Sequence, residues 1–417
     1  MTPLLHLVQN KKKTGDVEGI TRCLIQKEAD VNLKDEKGRN ALQILCTNPQ
    51  TKFFFALTKL LIEHEIDVNF KFNNGSNALH YWCRHHKKEN LIDIIGILIK
   101  RGIEVNCKSY KEDNALTLLC RNYRNTNLLD IIQLLIENRI NVNYKTASGS
   151  NALTLLCRNY QEKNLIDIIR LLIKSKIDIH YKTNKGWNAL TLLCRYYQNE
   201  NLVDIIQILI ANGIDVNHKT NGLVSGTNCK GTNGSNALHF LCRNYRRENL
   251  IHIIQILVQH GIYVNCKDID GNNALTLLCE LYQSENLIDI IRLLIESGVC
   301  INYKTDRGWN ALTLLCQNYQ EENLIEIISL LIKGGIEINY KTNSGWNALT
   351  LLCQNYNKEN LIHIIQLLIK EDLKLKPETF AFFKENYNKE NRNEILHLLG
   401  QHLEEGQPPT KRIKNLM

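Results

Sequence analysis

Two pairs of side chains have the types and spacing for chemistry. His80 and Cys83 stand three residues apart, as do His239 and Cys242. On a helix each pair shares one face, where an imidazole could activate a thiol or both could ligate a metal. A tetrahedral metal needs further ligands, and no second Cys/His pair lies at suitable spacing. A nucleophile also needs an oxyanion donor, and none is marked by the sequence. Gly213 followed by His218-Lys219-Thr220 imitates a phosphate loop, and Gly298 and Gly335 open similar strings. A working loop requires a second glycine before the lysine, where His218, Tyr303 and Tyr340 stand instead. No catalytic, cofactor-binding or metal-ligating residues are therefore expected, and the chain reads as a non-enzyme without cofactor.

The elements around these pairs explain them better. Asn-Ala-Leu begins at Asn40, Asn77, Asn114, Asn151, Asn188, Asn236, Asn273, Asn310 and Asn347, in steps of 37 residues except 48 from Asn188 to Asn236. Such a period marks stacked repeats sharing a core. Nine of the fourteen cysteines fall at one repeat position, among them Cys83 and Cys242. Equivalent positions in stacked helices lie about 8–10 Å apart. A disulfide needs Cα atoms within about 7 Å, so this ladder should stay reduced and act as small apolar residues.

Residues 145–181 serve as one repeat. Lys145 to Ser150 is a polar turn with a glycine, Asn151 caps a first helix running to Tyr160, and Glu162-Lys163-Asn164 breaks it. Asn164 is expected to cap a second helix, Leu165 to Lys174, with Asp167 near its positive end. That helix is apolar nearly all round and needs neighbours on several sides. Ile177-Asp178-Ile179 leads back to the next turn.

Turn, short helix, loop, long helix and return resemble the ankyrin repeat. Gly149 and Asn151-Ala152-Leu153-Thr154 stand where that family has a turn glycine and Thr-Pro-Leu-His, and Gly213 to Asn217 matches its return segment. The first repeat keeps Thr2-Pro3-Leu4, and His80 and His239 keep the usual histidine, which gives them a local capping role. The resemblance implies a mainly α fold, an ankyrin-repeat solenoid of helix-loop-helix units joined by β-hairpin-like turns. It covers residues 1–403: an N-terminal cap unit at 1–32, regular repeats at 33–372 with an insertion at 222–232, and a C-terminal capping unit at 373–403. About ten repeats are expected. Each is about four residues longer than the usual 33. The extra residues fall around Tyr160 to Lys163, so either the first helix lengthens or the loop projects further.

Composition is ordinary for a soluble chain, with 44% hydrophobic and 23% charged residues. No apolar run reaches the roughly 18 residues of a membrane span, and Met1 to His6 lacks the marks of a signal peptide. Cytosol or nucleus is the expected location, in a monomer. The tail, 404–417, carries Lys411, Arg412 and Lys414 after Pro408-Pro409, a pattern that fits a short nuclear import signal.

Basic residues line up along the repeats. Lys145 and Lys182 belong to a turn position, and Arg84, Arg121, Arg158, Arg195 and Arg243 follow the ladder cysteine, replaced later by Glu280, Gln317 and Gln354. Trp187, Trp309 and Trp346 follow the turn glycine. Tryptophan and arginine dominate binding hot spots. The basic stripes point to a partner of acidic character, and the resemblance implies that these residues bind a protein partner on a concave hairpin and first-helix face, as a scaffold or adaptor. Two alternatives stay open: a nucleic-acid or chromatin-associated protein using the Lys/Arg stripes, disfavoured because +8 is a modest charge for this size, or a regulatory subunit of a phosphatase or ubiquitin ligase complex.

Overall fold

The computed structural model describes residues 2–9, 16–47, 54–85, 90–109, 112–220, 234–375, 380–381, 384–385 and 392–405. The insertion at 222–232 and the basic tail residues Lys411, Arg412 and Lys414 lie outside them. The chain divides into two compact units, residues 1–215 and 216–417. Among the described residues every regular element is a helix.

In the N-terminal unit the first helices Ala78–His85, Ala115–Asn122, Ala152–Asn159 and Ala189–Tyr196 stack on one another. The second helices Leu91–Lys100, Leu128–Glu137, Leu165–Lys174 and Leu202–Ala211 form a parallel row. The C-terminal unit repeats this with Ala237–Asn244, Ala274–Leu281, Ala311–Asn318 and Ala348–Asn355 against Leu250–Gln259, Leu287–Glu296, Leu324–Lys333 and Leu361–Lys370, and Arg392–Glu405 packs on the last of these. Every residue from Ala152 to Cys157 is buried, which lets first helices approach closely over Ala and Cys. Each fully buried leucine contributes about 1.5–3 kcal/mol.

Local geometry follows from the caps. Asn151 is extended, its Oδ1 accepts the Thr154 N–H at 2.9 Å, and Thr154 Oγ1 accepts the Asn151 N–H at 3.0 Å, a reciprocal cap. The same asparagine also donates from Nδ2 to Asp178 O at 3.1 Å, tying the return segment to the first helix. The turn before it closes through Thr146 N–H to Ser150 O at 2.9 Å and Gly149 N–H to Thr146 O at 2.7 Å, a tight tip without strand pairing. Gly149 has φ +63°, and the same turn position in the next repeat back is Glu112 at φ +52°.

Asn164 behaves differently from the expectation. It lies near helical values (φ −75°, ψ 6°), from which its side chain makes no cap. Instead Nδ2 donates to Thr126 O of the preceding repeat at 2.6 Å, and Oδ1 lies 2.9 Å from the Tyr160 hydroxyl. That hydroxyl also lies 3.0 Å from Asn125 O. The first helix stops at Asn159, and the added residues turn a fully buried tyrosine inward. The longer period therefore builds an inter-repeat ladder. It recurs at Tyr319, with Ser284 O at 3.0 Å and Asn323 Oδ1 at 2.8 Å.

A third ladder runs through the return segments. Asn143 Nδ2 donates to Lys176 O at 2.9 Å while its Oδ1 accepts the Asp178 N–H at 2.6 Å. Asn302 does the same with Gly335 O and the Glu337 N–H.

Candidate partner-binding face

The tips and first helices bring the singled-out residues onto one face of each unit, but in different states. The residue before the capping asparagine and the residue seven after it come together. In the N-terminal unit that pairing is Asp113 with Arg121, at 2.9 Å. Arg84 of the preceding repeat reaches the same carboxylate at 3.5 Å. Asp113 is 2% exposed, so two half-buried guanidinium groups neutralise a buried charge. In the C-terminal unit Arg243 meets the buried Asp268 at 2.7 Å.

Arg158 and Arg195 use rings instead. Arg158 lies 5.8 Å from the Tyr196 ring centre, and Arg195 lies 5.3 Å from the same ring and 5.2 Å from that of Trp187. Trp187 is thereby covered, at 8% exposure. Trp309 and Trp346 stay half-buried, with the uncharged Gln317 and Gln354 at the corresponding helix position. Lys145 sits 4.6 Å over the Tyr181 ring, and Lys182 is exposed.

Trp309 opens onto a cleft of about 560 Å³ in the C-terminal unit. Arg243, Asp270, Glu280, Leu281, Arg307, Leu314 and Gln317 also line it. Sequence reasoning missed Asp270, Leu281 and Arg307, and it missed Asp113 and Asp268 as ion-pair partners. Leu281 carried a signal: its repeat position is asparagine at 122, 159, 244, 318 and 355, and of the departures His85, Tyr196 and Leu281 it alone is aliphatic.

The histidine and cysteine pairs are placed for packing. His80 is buried, with Nδ1 2.8 Å from Asn77 Oδ1 and Nε2 3.0 Å from Asp113 O of the next tip. His239 joins Asn236 and Asn272 O in the same way. Burial holds both imidazoles below their ordinary pKa, hence neutral. Burial pushes the Cys83 thiol far up and the Cys242 thiol up to about 12, so neither offers a thiolate near neutral pH. Gly213 follows the C-terminus of Leu202–Ala211, the negative end of a helix and the wrong end for phosphate. Among the described residues no group of three or more His, Cys, Asp or Glu could hold a metal ion. No helix among them is long and apolar enough to cross a membrane.

No curated protein matches the sequence significantly. A family model described as ankyrin repeats matches three stretches, residues 5–109, 111–220 and 278–381, which together make up most of the chain. With the reciprocal caps, the paired helix rows and the histidines that bond to the following tip, this match settles the fold: the chain belongs to the ankyrin-repeat family, whose repeats form a protein–protein interaction module.

Proposed function

We propose that this chain is a non-enzymatic scaffold that holds a protein partner on the tip and first-helix face, and that any catalysis in the assembly belongs to the partner. The supporting observation is Trp309. A tryptophan on a repeat surface is normally covered, as Trp187 is by Arg195, yet Trp309 stays half-open in a cleft with apolar and charged walls. The Lys/Arg stripe supports nucleic-acid binding poorly, because Arg84, Arg121 and Arg243 already face buried carboxylates.

The test is affinity capture from cell extract followed by mass spectrometry. It compares the wild-type chain with a folded variant carrying Trp309→Ala, Trp346→Ala and Arg158→Glu. A discrete protein retained by the first and lost by the second is the expected result. An unchanged partner list, or nucleic acid released by moderate salt, would refute the reading.

A further inference from the structure

We propose that the cleft between Ala274–Leu281 and Ala311–Asn318 takes an extended basic peptide of the partner, which lays one large apolar side chain against Leu281 and Trp309. The proposal rests on the scaffold reading and specifies the ligand chemistry of one site.

The repeats supply their own control, since each must satisfy the same packing. Eight residues after the cap, Asn122, Asn159, Asn244, Asn318 and Asn355 each donate Nδ2 to the carbonyl one turn back, at 2.8–2.9 Å. Two other repeats also depart there, but with rings that meet a partner: His85 lies 4.5 Å from the Tyr81 ring, and Tyr196 lies under Arg158 and Arg195. Leu281 occupies that position in its own repeat with an aliphatic side chain and is 38% exposed. An apolar side chain there gives up a hydrogen bond and still leaves more than a third of its surface to solvent, so packing does not explain it. Its neighbour Glu280 replaces the arginine or glutamine of the other regular repeats. Both departures face one cleft, whose volume suits a large side chain and its flanking backbone.

Charge chooses the peptide. Arg243 is held by Asp268, which leaves Asp270 and Glu280 against Arg307. None of these three has an ion-pair partner among the described residues. Two carboxylates to one cation make the cleft locally acidic within a chain of formal charge +8. Lysine or arginine beside the apolar anchor is attracted there, and an acidic peptide is repelled.

The experiment uses the full chain and short fluorescein-labelled peptides in a Gly/Ser background with Lys-Leu-Lys, Lys-Ala-Lys or Glu-Leu-Glu at the centre. Fluorescence anisotropy should show the Lys-Leu-Lys peptide binding at least about tenfold tighter than the other two. Leu281→Asn, which installs the asparagine of sister repeats and preserves folding, should weaken it about tenfold. Glu280→Gln should weaken it too, and Lys174→Glu, an exposed second-helix residue of the other unit, should leave it unchanged. Preference for Glu-Leu-Glu, no binding of Lys-Leu-Lys, or full binding by Leu281→Asn would each overturn the proposal. A captured protein partner that survives Leu281→Asn but is lost with Arg158→Glu would overturn this cleft while leaving the scaffold reading intact.

Discussion

Asn151 carries two separable loads, and three substitutions separate them. Asn151→Ala removes the oxygen that accepts the Thr154 N–H at 2.9 Å and the amide that donates to Asp178 O at 3.1 Å. The lost cap costs about 1 kcal/mol and the second bond about another. Because Asn151 is only 1% exposed, water cannot replace it, and the total becomes about 2–4 kcal/mol. Asn151→Thr keeps a capping oxygen and loses only the bond to Asp178, about 1 kcal/mol. Asn151→Asp also keeps the cap but sets a carboxylate against the Asp178 carbonyl, so it falls between the two. Urea unfolding followed by circular dichroism gives the order. Stacked repeats can unfold in parts, so exchange of the Thr154 amide hydrogen supplies a local reading. It should accelerate strongly in the alanine variant and little in the threonine variant. Threonine as stable as wild type would show that the tie to Asp178 contributes nothing. Equal losses for alanine and threonine would show that the cap does not matter.

Further outcomes follow from burial and backbone geometry. His80 and His239 are neutral in the fold because burial lowers their pKa. Below the free value of about 6.5 the unfolded chain binds protons that the fold excludes. Stability is then flat above that pH and falls below it, by up to about 1.4 kcal/mol per histidine per pH unit until the folded pKa is reached. Urea midpoints at pH 7.5, 6.5 and 5.5 should show this loss, and threonine at both positions, as in sister repeats, should reduce it; an equal slope in the variant would refute the assignment. In a Cys229→Ser background, a thiol reagent on the native chain should modify the exposed Cys23 and Cys300 and spare the buried ladder cysteines, which should react only on unfolding. Rapid native labelling of Cys157 would contradict its burial. Lys176 sits at φ +62° after its helix, where the next repeat has Gly213. Lys176→Gly should therefore stabilise by about 0.5–1 kcal/mol after the added unfolded-state entropy of glycine, read as a higher melting temperature.

How far the fold was legible depended on whether a feature repeats with fixed spacing. The period, the capping asparagines and the buried cysteine ladder recur at one position each, and helix packing leaves little choice about them. Asn164 was misread because capping depends on backbone angles as well as residue type. At φ −75°, ψ 6° it points to the preceding repeat, whereas Asn151, at ψ 178°, points into its own helix. The charge stripe was half legible. The arginines repeat, but their buried partners do not: Asp113 immediately precedes a capping asparagine, and Asp268 precedes one by five residues. No regular spacing links them to Arg84, Arg121 and Arg243.

The three tryptophans show where the repeat stops dictating and the surface becomes individual. All occupy the position after the turn glycine, with the same tip closure: Thr183 N–H to Trp187 O at 2.9 Å, Thr305 N–H to Trp309 O at 2.8 Å and Thr342 N–H to Trp346 O at 2.8 Å. Identical backbones nevertheless give a covered ring at 187 and half-open rings at 309 and 346. The side chain eight residues on differs, a stacking guanidinium at Arg195 and amides at Gln317 and Gln354. Inter-repeat bonding through Asn143, Tyr160 and their equivalents, and the bond from Asn151 within its own repeat, lie at other positions and are untouched by this choice. Residues at the tip and at the end of the first helix can therefore vary without loosening the stack, which is the condition for a face whose chemistry is set by what it binds.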